Sequence, residues 1–169
     1  SDVYKRQMQN NVPDGMLWNR VLTEDCDVVD GALGTYPNVT RTFLPVACQH
    51  CQNAACQRVC PTGATYKDDK GRVEIDYDKC IGCRMCMAAC PYGARIQIKK
   101  TGVIEKCRFC WYEGEPGNPP RCVGTCISGA RLFGDLDDPA SEVSKAVVER
   151  KARALLEEQG TRPQVYYFD

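Results

Sequence analysis

The chain has 169 residues, with 22 basic against 22 acidic side chains and a pI near 6.5. That balance excludes a strongly basic nucleic-acid binder and a charge-swollen disordered chain, and no apolar run approaches the roughly 18 residues that cross a bilayer. Apolar residues make up 43%, but 13 of them are cysteines, and Leu, Ile, Val and Phe together number only 33, which is thin for a self-sufficient core. In chain order, residues 1–9 open with SDVYKRQ, which reads as a non-native scar and is set aside. The acidic stretch Glu24–Asp30 holds Cys26, away from any C-x2-C pair, and is read as carrying a free thiol. Twelve cysteines then fall between Cys48 and Cys126. Among them Arg72–Asp76 (RVEID) and Arg95–Lys99 (RIQIK) alternate polar and apolar residues, the pattern of short strands. Trp111–Arg121 is a turn-rich insert with Gly114, Pro116, Gly117, Pro119 and Pro120. Pro139–Gln159 reads as one helix, with Pro139 in its first turn and Gly160 at its C-terminal end. Val143, Val147, Ala154 and Leu155 give it an imperfect apolar stripe. The tail Val165–Phe168 (VYYF) suits burial in this domain or docking on a larger partner, and both readings stand.

The twelve cysteines come in fours. Cys48, Cys51, Cys56 and Cys60 read C-x2-C-x4-C-x3-C-P, and Cys80, Cys83, Cys86 and Cys90 read C-x2-C-x2-C-x3-C-P. Cys107, Cys110, Cys122 and Cys126 read C-x2-C-x11-C-x3-C, with Ile127 where proline stood before. A disulfide framework fits poorly, because the count is odd and the spacing crowds the thiols. Tetrahedral zinc needs only two C-x2-C pairs, so the extra cysteines are surplus to it. The second group matches the bacterial ferredoxin run for a 4Fe-4S cluster, in which three close thiolates hold one cluster and the fourth ligates its neighbour. On that rule Cys48, Cys51, Cys56 and Cys90 hold one cluster, and Cys60, Cys80, Cys83 and Cys86 hold a second. The fourth cysteines open related segments, CPTGATY at Cys60, CPYGARI at Cys90 and CISGARL at Cys126. A glycine recurs three residues after each, which suggests a turn with positive φ or a close approach to the cluster. KCIGC at 79–83 likewise resembles KCRFC at 106–110. One small unit of strand, cluster loop and short helix is duplicated.

With these groups in this order, and with CPTGATY, KCIGCRMCMAACPYGAR and FGDLDDP, the chain resembles the iron–sulfur electron-transfer subunits of molybdopterin oxidoreductases. These are the dimethyl sulfoxide, polysulfide, thiosulfate, tetrathionate and arsenate reductase type, and the likeness covers roughly residues 10–169. The resemblance implies four 4Fe-4S clusters in the full-length protein, two of them complete in this chain. It also implies a fourth cysteine group near the amino terminus that pairs with Cys107–Cys126. No such group stands here, so an amino-terminally truncated fragment is expected, with Asn11–Gly15 just after the missing group. Cys107, Cys110 and Cys122 would then hold three corners of a third cluster, and Cys126 would ligate a fourth. A local site closed by Cys126, or substitution by Cys26, stays open.

His50 lies between Cys48 and Cys51. Histidine ligates iron in Rieske centres, but the local cysteine set is already complete, so His50 is read as a non-ligand that tunes potential through hydrogen bonds or lies near a quinone-side partner. Arg58, Lys79, Arg84, Arg95, Lys106 and Arg108 flank the ligands. They form either a solvated face or a set of counter-charges that raise cluster potentials. With one histidine and no phosphate loop or dinucleotide fingerprint, catalysis of its own is not expected.

The expected fold is α+β, a duplicated ferredoxin-like two-cluster core with short strands, cluster loops and a C-terminal helix. Residues 10–46 would be the remnant of an outer ferredoxin-like unit, 47–100 the two-cluster domain, 101–135 the third cysteine group with its insert, and 136–169 the C-terminal helix and tail. By resemblance the chain relays electrons between a membrane quinol-linked subunit and a molybdopterin catalytic subunit. It would be membrane-associated through these partners, on either face of a prokaryotic inner membrane. The alternatives are a beta subunit of formate dehydrogenase or hydrogenase type, a freestanding polyferredoxin, and a zinc-binding interaction module.

Overall fold

The computed structural model describes residues 10, 12–23, 34–39, 43–110 and 119–168. Cys26, the opening residues 1–9, and residues 111–118 of the insert lie outside the described residues. Among the described residues the strands form four antiparallel two-stranded sheets. β1 (Asn19–Thr23) pairs with β2 (Phe43–Ala47), Asn19 standing opposite Ala47. β3 (Thr65–Lys67) pairs with β4 (Val73–Ile75), and β5 (Ile96–Gln97) with β6 (Ile104–Glu105). β7 (Arg153–Ala154) pairs with β8 (Tyr166–Tyr167). β4 and β5 fall inside the two segments that the alternating pattern marks as strands. The helices are short: α1 (Ala55–Arg58), α2 (Met85–Ala88), α3 (Arg121–Gly124) and α4 (Glu142–Glu149).

One-turn helices and two-stranded hairpins are marginal by themselves, so their stability must come from what they enclose. Two small cores are present, and both contain cysteine side chains. Val46, Cys48, Tyr92 and Ala94 form one, with Leu22, Leu44, Cys51, Cys90, Cys107 and Leu155 packed against it. Ile75, Cys86 and Ile104 form the other, with Cys56, Val59, Tyr77, Cys80 and Met87 around it. The shortage of large aliphatics is thus felt where the sulfur gathers.

The local geometry repeats three times. Cys56, Cys86 and Cys122 each take the second position of α1, α2 and α3. At the helix ends the amides of Cys60, Cys90 and Cys126 donate to the carbonyls of Gln57, Met87 and Val123 at 3.2, 3.3 and 3.0 Å. Three residues on, Gly63, Gly93 and Gly129 have φ of 66°, 56° and 63°, and their amides donate back to Cys60, Cys90 and Cys126 at 3.4, 3.2 and 3.2 Å. The recurring glycine is there because the left-handed turn disfavours a Cβ.

The C-terminal helix is shorter than its sequence pattern suggests. α4 covers Glu142–Glu149, capped by the Ser141 hydroxyl accepting from the Ser144 amide at 3.1 Å, and Pro139 stands in the turn before it. Lys151 then enters the left-handed region at φ 49°. The amides of Ala152 and Lys151 donate to Val147 and Val148 at 3.0 and 3.3 Å, the pattern of a Schellman stop. Helix-favouring residues follow, but Arg153–Ala154 is taken up as β7 by pairing with the tail. Tertiary pairing overrides a propensity worth only tenths of a kcal/mol per residue.

The last segment returns to the first cysteine loop. Amides of Gln52 and Asn53 donate to Arg162 and Thr161 carbonyls at 2.8 and 3.0 Å, and the Gln164 amide donates to Gln49 at 2.9 Å. The Tyr167 hydroxyl donates to the Pro45 carbonyl at 2.9 Å and accepts from Gln49 Nε2 at 3.2 Å. The VYYF tail is half-buried within this chain.

Candidate functional site

Two sets of thiols are brought together, each drawn from both sequence groups. Cys60, Cys80, Cys83 and Cys86 line one hollow of about 310 Å3, open mouth included, with Ala64, Thr65, Ile75 and Ile104 among its walls. Cys80 and Cys83 sit on the loop that leads into α2, and Cys86 is buried in α2 itself. The loop is pinned from outside by Gln97. Its Nε2 donates to the carbonyls of Gly82 and Gly102 at 3.3 and 2.7 Å, while its Oε1 accepts from Arg84 Nε at 2.6 Å. Cys60 reaches the hollow from the end of α1. Slight burial works against its ionisation, but the Thr65 amide, the Thr62 hydroxyl and amide, and the Ala64 amide all favour the thiolate and hold it down at about 7. The Thr65 amide donates to Cys60 Sγ at 3.5 Å, and the Thr62 hydroxyl lies 3.7 Å away. Backbone amides converging on one atom form an anion nest.

The other set gathers about Cys51. Burial pushes its thiol up, a hydrogen bond from Thr161 opposes that, and Cys48, Cys56 and Cys90 are all near enough to push it further. Cys56 is raised by burial too, against the pull of Arg95. Tyr92, two residues beyond Cys90, braces this side; its hydroxyl lies 2.6 Å from Thr161 Oγ1.

The third group is only partly gathered. Burial pushes Cys107 up to about 12, with Cys48 and Cys122 in its neighbourhood. Cys110 is buried, and Asn10 Nδ2 lies 3.8 Å from its sulfur. Cys126 has its own hydroxyl and amide nest. Ser128 Oγ lies 3.5 Å away, and this hydroxyl with the amides of Ala130, Arg131 and Ser128 lowers the thiol. The hydroxyl two residues after the cysteine, in CPT and in CIS, is the sequence signal for these nests, and cysteine spacing alone does not reveal it.

His50 has both ring nitrogens engaged. Nδ1 accepts from the Val73 amide at 3.2 Å, so Nε2 carries the proton and donates to the Cys107 carbonyl at 3.0 Å. The ring is 1% exposed and stacks on Phe109 at 3.8 Å. Burial above all, with Lys106 nearby, holds its pKa well below the ordinary histidine value. His50 therefore ties the first cysteine loop to β4 and to the third cysteine group.

The six cations divide. Arg58, Lys79 and Arg84 are exposed, and Lys79 pairs with Asp76 at 2.8 Å. Arg108 is partly covered and pairs with Glu74 at 3.3 Å. Lys106 and Arg95 are buried, at 1% and 4% exposure. Lys106 Nζ donates to the Cys107 carbonyl at 2.9 Å.

Among the described residues, no three Cys, His, Asp or Glu side chains converge as ligands of one ion would. Thiols distributed around a hollow suit a group with several metal atoms better than tetrahedral zinc. Residues 39–136 match the 4Fe-4S dicluster domain family. This chain belongs to that dicluster family. Its relatives include a Halobacterium salinarum protein named as an iron–sulfur subunit of dimethyl sulfoxide reductase, 48% identical over 96% of this chain and 71% of its own length. A selenate reductase subunit of Mesobacillus selenatarsenatis is 38% identical over 94% of this chain and 63% of its length. The arsenate respiratory reductase iron–sulfur subunit of a Shewanella strain is 34% identical over 94% and 86%. The chain spans less than two thirds of the selenate reductase relative. Among the described residues of this dicluster protein, no helix is long and apolar enough to cross a membrane.

Proposed function

We propose that this chain is the electron-transfer subunit of a membrane-associated respiratory complex, relaying electrons between a quinol-linked membrane subunit and a molybdopterin catalytic subunit. The observation that carries the reading is the shared hollow of Cys60 with Cys80, Cys83 and Cys86. Cys60 comes from a different sequence group, and this is the reciprocal layout that the two-cluster ferredoxin rule requires.

In this reading Cys60, Cys80, Cys83 and Cys86 hold one 4Fe-4S cluster and Cys48, Cys51, Cys56 and Cys90 hold another, within a duplicated ferredoxin-like domain over residues 47–100. Cys107, Cys110, Cys122 and Cys126 belong to outer clusters of a four-cluster assembly. A bound cluster supplies one-electron redox chemistry. The protein's part is to hold and screen. The amide nests favour thiolate at Cys60 and Cys126, and the Thr161–Gln164 strap holds the first loop through backbone hydrogen bonds. In this reading substrate chemistry belongs to the catalytic partner.

The test is metal and sulfide analysis with EPR on anaerobically reconstituted protein. Cys60→Ser is expected to abolish the signal of the set at Cys80–Cys86 and spare the other, while Cys90→Ser does the reverse. Bound zinc without acid-labile sulfide would sink the proposal. So would loss, in Cys60→Ser, of the cluster held by Cys48, Cys51 and Cys56 alone.

A further inference from the structure

Arg95 follows CPYGA, the second of the three related segments, just before β5, and its guanidinium is turned inward between the two thiol sets. It is 4% exposed. Nη2 donates to Cys56 Sγ at 2.9 Å, and Nη1 donates to Thr65 Oγ1 at 3.2 Å. Cys56 belongs to the set completed by Cys90. The charge of Arg95 also reaches Cys86, which belongs to the other set, and favours the thiolate there. Thr65 in turn directs its amide to Cys60 at 3.5 Å. The fork therefore touches a sulfur of one set directly and reaches the other set through Thr65, whose amide faces Cys60.

No carboxylate among the described residues pairs with Arg95. A buried guanidinium without a carboxylate would cost several kcal/mol, so its counter-charge must come from elsewhere, and the atoms around it are sulfurs. A fixed positive charge at low effective dielectric acts strongly on nearby anionic groups, and local charge is one of the levers on cluster potential. The planar fork also donates to Cys56 Sγ and Thr65 Oγ1 at once, in a rigid geometry that an ammonium cannot reproduce.

Building on the two-cluster reading above, we infer that Arg95 is a counter-ion shared by both cysteine sets, raising the potentials of both clusters together and locking the two sets in register. The other cations that flank the ligands lack this position: Arg58, Lys79 and Arg84 are exposed, and Lys106 lies toward Cys107.

The test is an EPR-monitored redox titration of the reconstituted full chain, with iron and sulfide counted in every sample. Wild-type protein without iron and sulfide would refute the cluster reading itself, independently of Arg95. With clusters present, Arg95→Gln is expected to move both midpoints to more negative values. Arg95→Lys should lie between that variant and wild type at both. Movement of one midpoint alone, or of neither, overturns the inference. Should Arg95→Gln lose both clusters, Arg95→Lys decides. Retention of both by the lysine variant supports a shared charge, and loss in both variants shows a purely steric role and overturns it.

Discussion

Gly82→Ala is the sharpest perturbation available at the hollow. Gly82 stands between Cys80 and Cys83 at φ 68°, and a Cβ there would lie 2.4 Å from the Gly102 carbonyl oxygen and 3.3 Å from Gln97 Nε2. Left-handed backbone costs a non-glycine residue about 1–2 kcal/mol. Overpacking against backbone adds about 1–3 kcal/mol, and the lower entropy of the unfolded alanine chain returns about 0.4–1 kcal/mol. The net cost is about 1–5 kcal/mol, and the relief route is outward movement of the Cys80–Cys83 loop. Gly102 supplies the internal control. Its φ is 76°, yet a Cβ there meets nothing within 4 Å, so Gly102→Ala should cost about 1 kcal/mol from the backbone alone. The assay is anaerobic urea titration of reconstituted protein, reading visible absorbance for the clusters and circular dichroism for the fold, with iron per chain measured at the start. Gly82→Ala should start with less iron and bleach at lower urea than Gly102→Ala. Equal behaviour of the two variants would show that the contact with Gly102 does not constrain the loop.

Three further outcomes are expected. His50→Ala leaves the Val73 amide without its partner, a loss of about 1–3 kcal/mol, while the Cys107 carbonyl keeps Lys106 Nζ; a lower denaturation midpoint checks it, and an unchanged midpoint argues against an anchoring role. Removing iron with a chelator under reducing conditions should abolish the cooperative melt, because thiolates from distant segments of a core-poor chain are then unlinked; differential scanning calorimetry would show a well-folded apo form if this is wrong. Ser141→Ala removes the cap of α4 and should cost about 1 kcal/mol, visible as faster amide exchange in Ser144 and Lys145 without loss of iron.

What is legible in the sequence is mostly local. The offset from cysteine to glycine in CPTGA, CPYGA and CISGA marks three left-handed turns, because only one backbone geometry makes a glycine useful at that place. The alternation in RVEID and RIQIK marks β4 and β5, though each strand is shorter than its segment. Contacts across the chain leave no such mark. Thr161 braces Tyr92 from 69 residues away, and nothing in either segment announces the other. The helix expected over Pro139–Gln159 stops early for the same reason: Arg153 and Ala154 have strong helical propensity, but they pair with Tyr167 and Tyr166. The six flanking cations look equivalent in sequence, yet burial separates Arg95 and Lys106 from the rest. His50 reads in sequence as a tuner of potential, and its role as a brace between β4 and the Cys107 segment comes from partners 23 and 57 residues away.

The three repeats separate local encoding from tertiary assembly. In each unit a single helical turn carries one cysteine at its second residue and another just past its end. In α1 these two face different sets: Cys56 lies with Cys48 and Cys90, whereas Cys60 lines the hollow of Cys80, Cys83 and Cys86. The third unit builds the same turn and the same hydroxyl and amide nest around Cys126, close to the surface. The thiolate-favouring nest is therefore a property of the short motif and is complete within that motif's own turn. Pairing of the sets is a property of the packing between motifs, where a buried guanidinium and a pinned loop do the aligning. Substitutions in the nest should accordingly weaken one site, and substitutions at Arg95 or Gln97 should disturb the relation between elements that no single motif specifies.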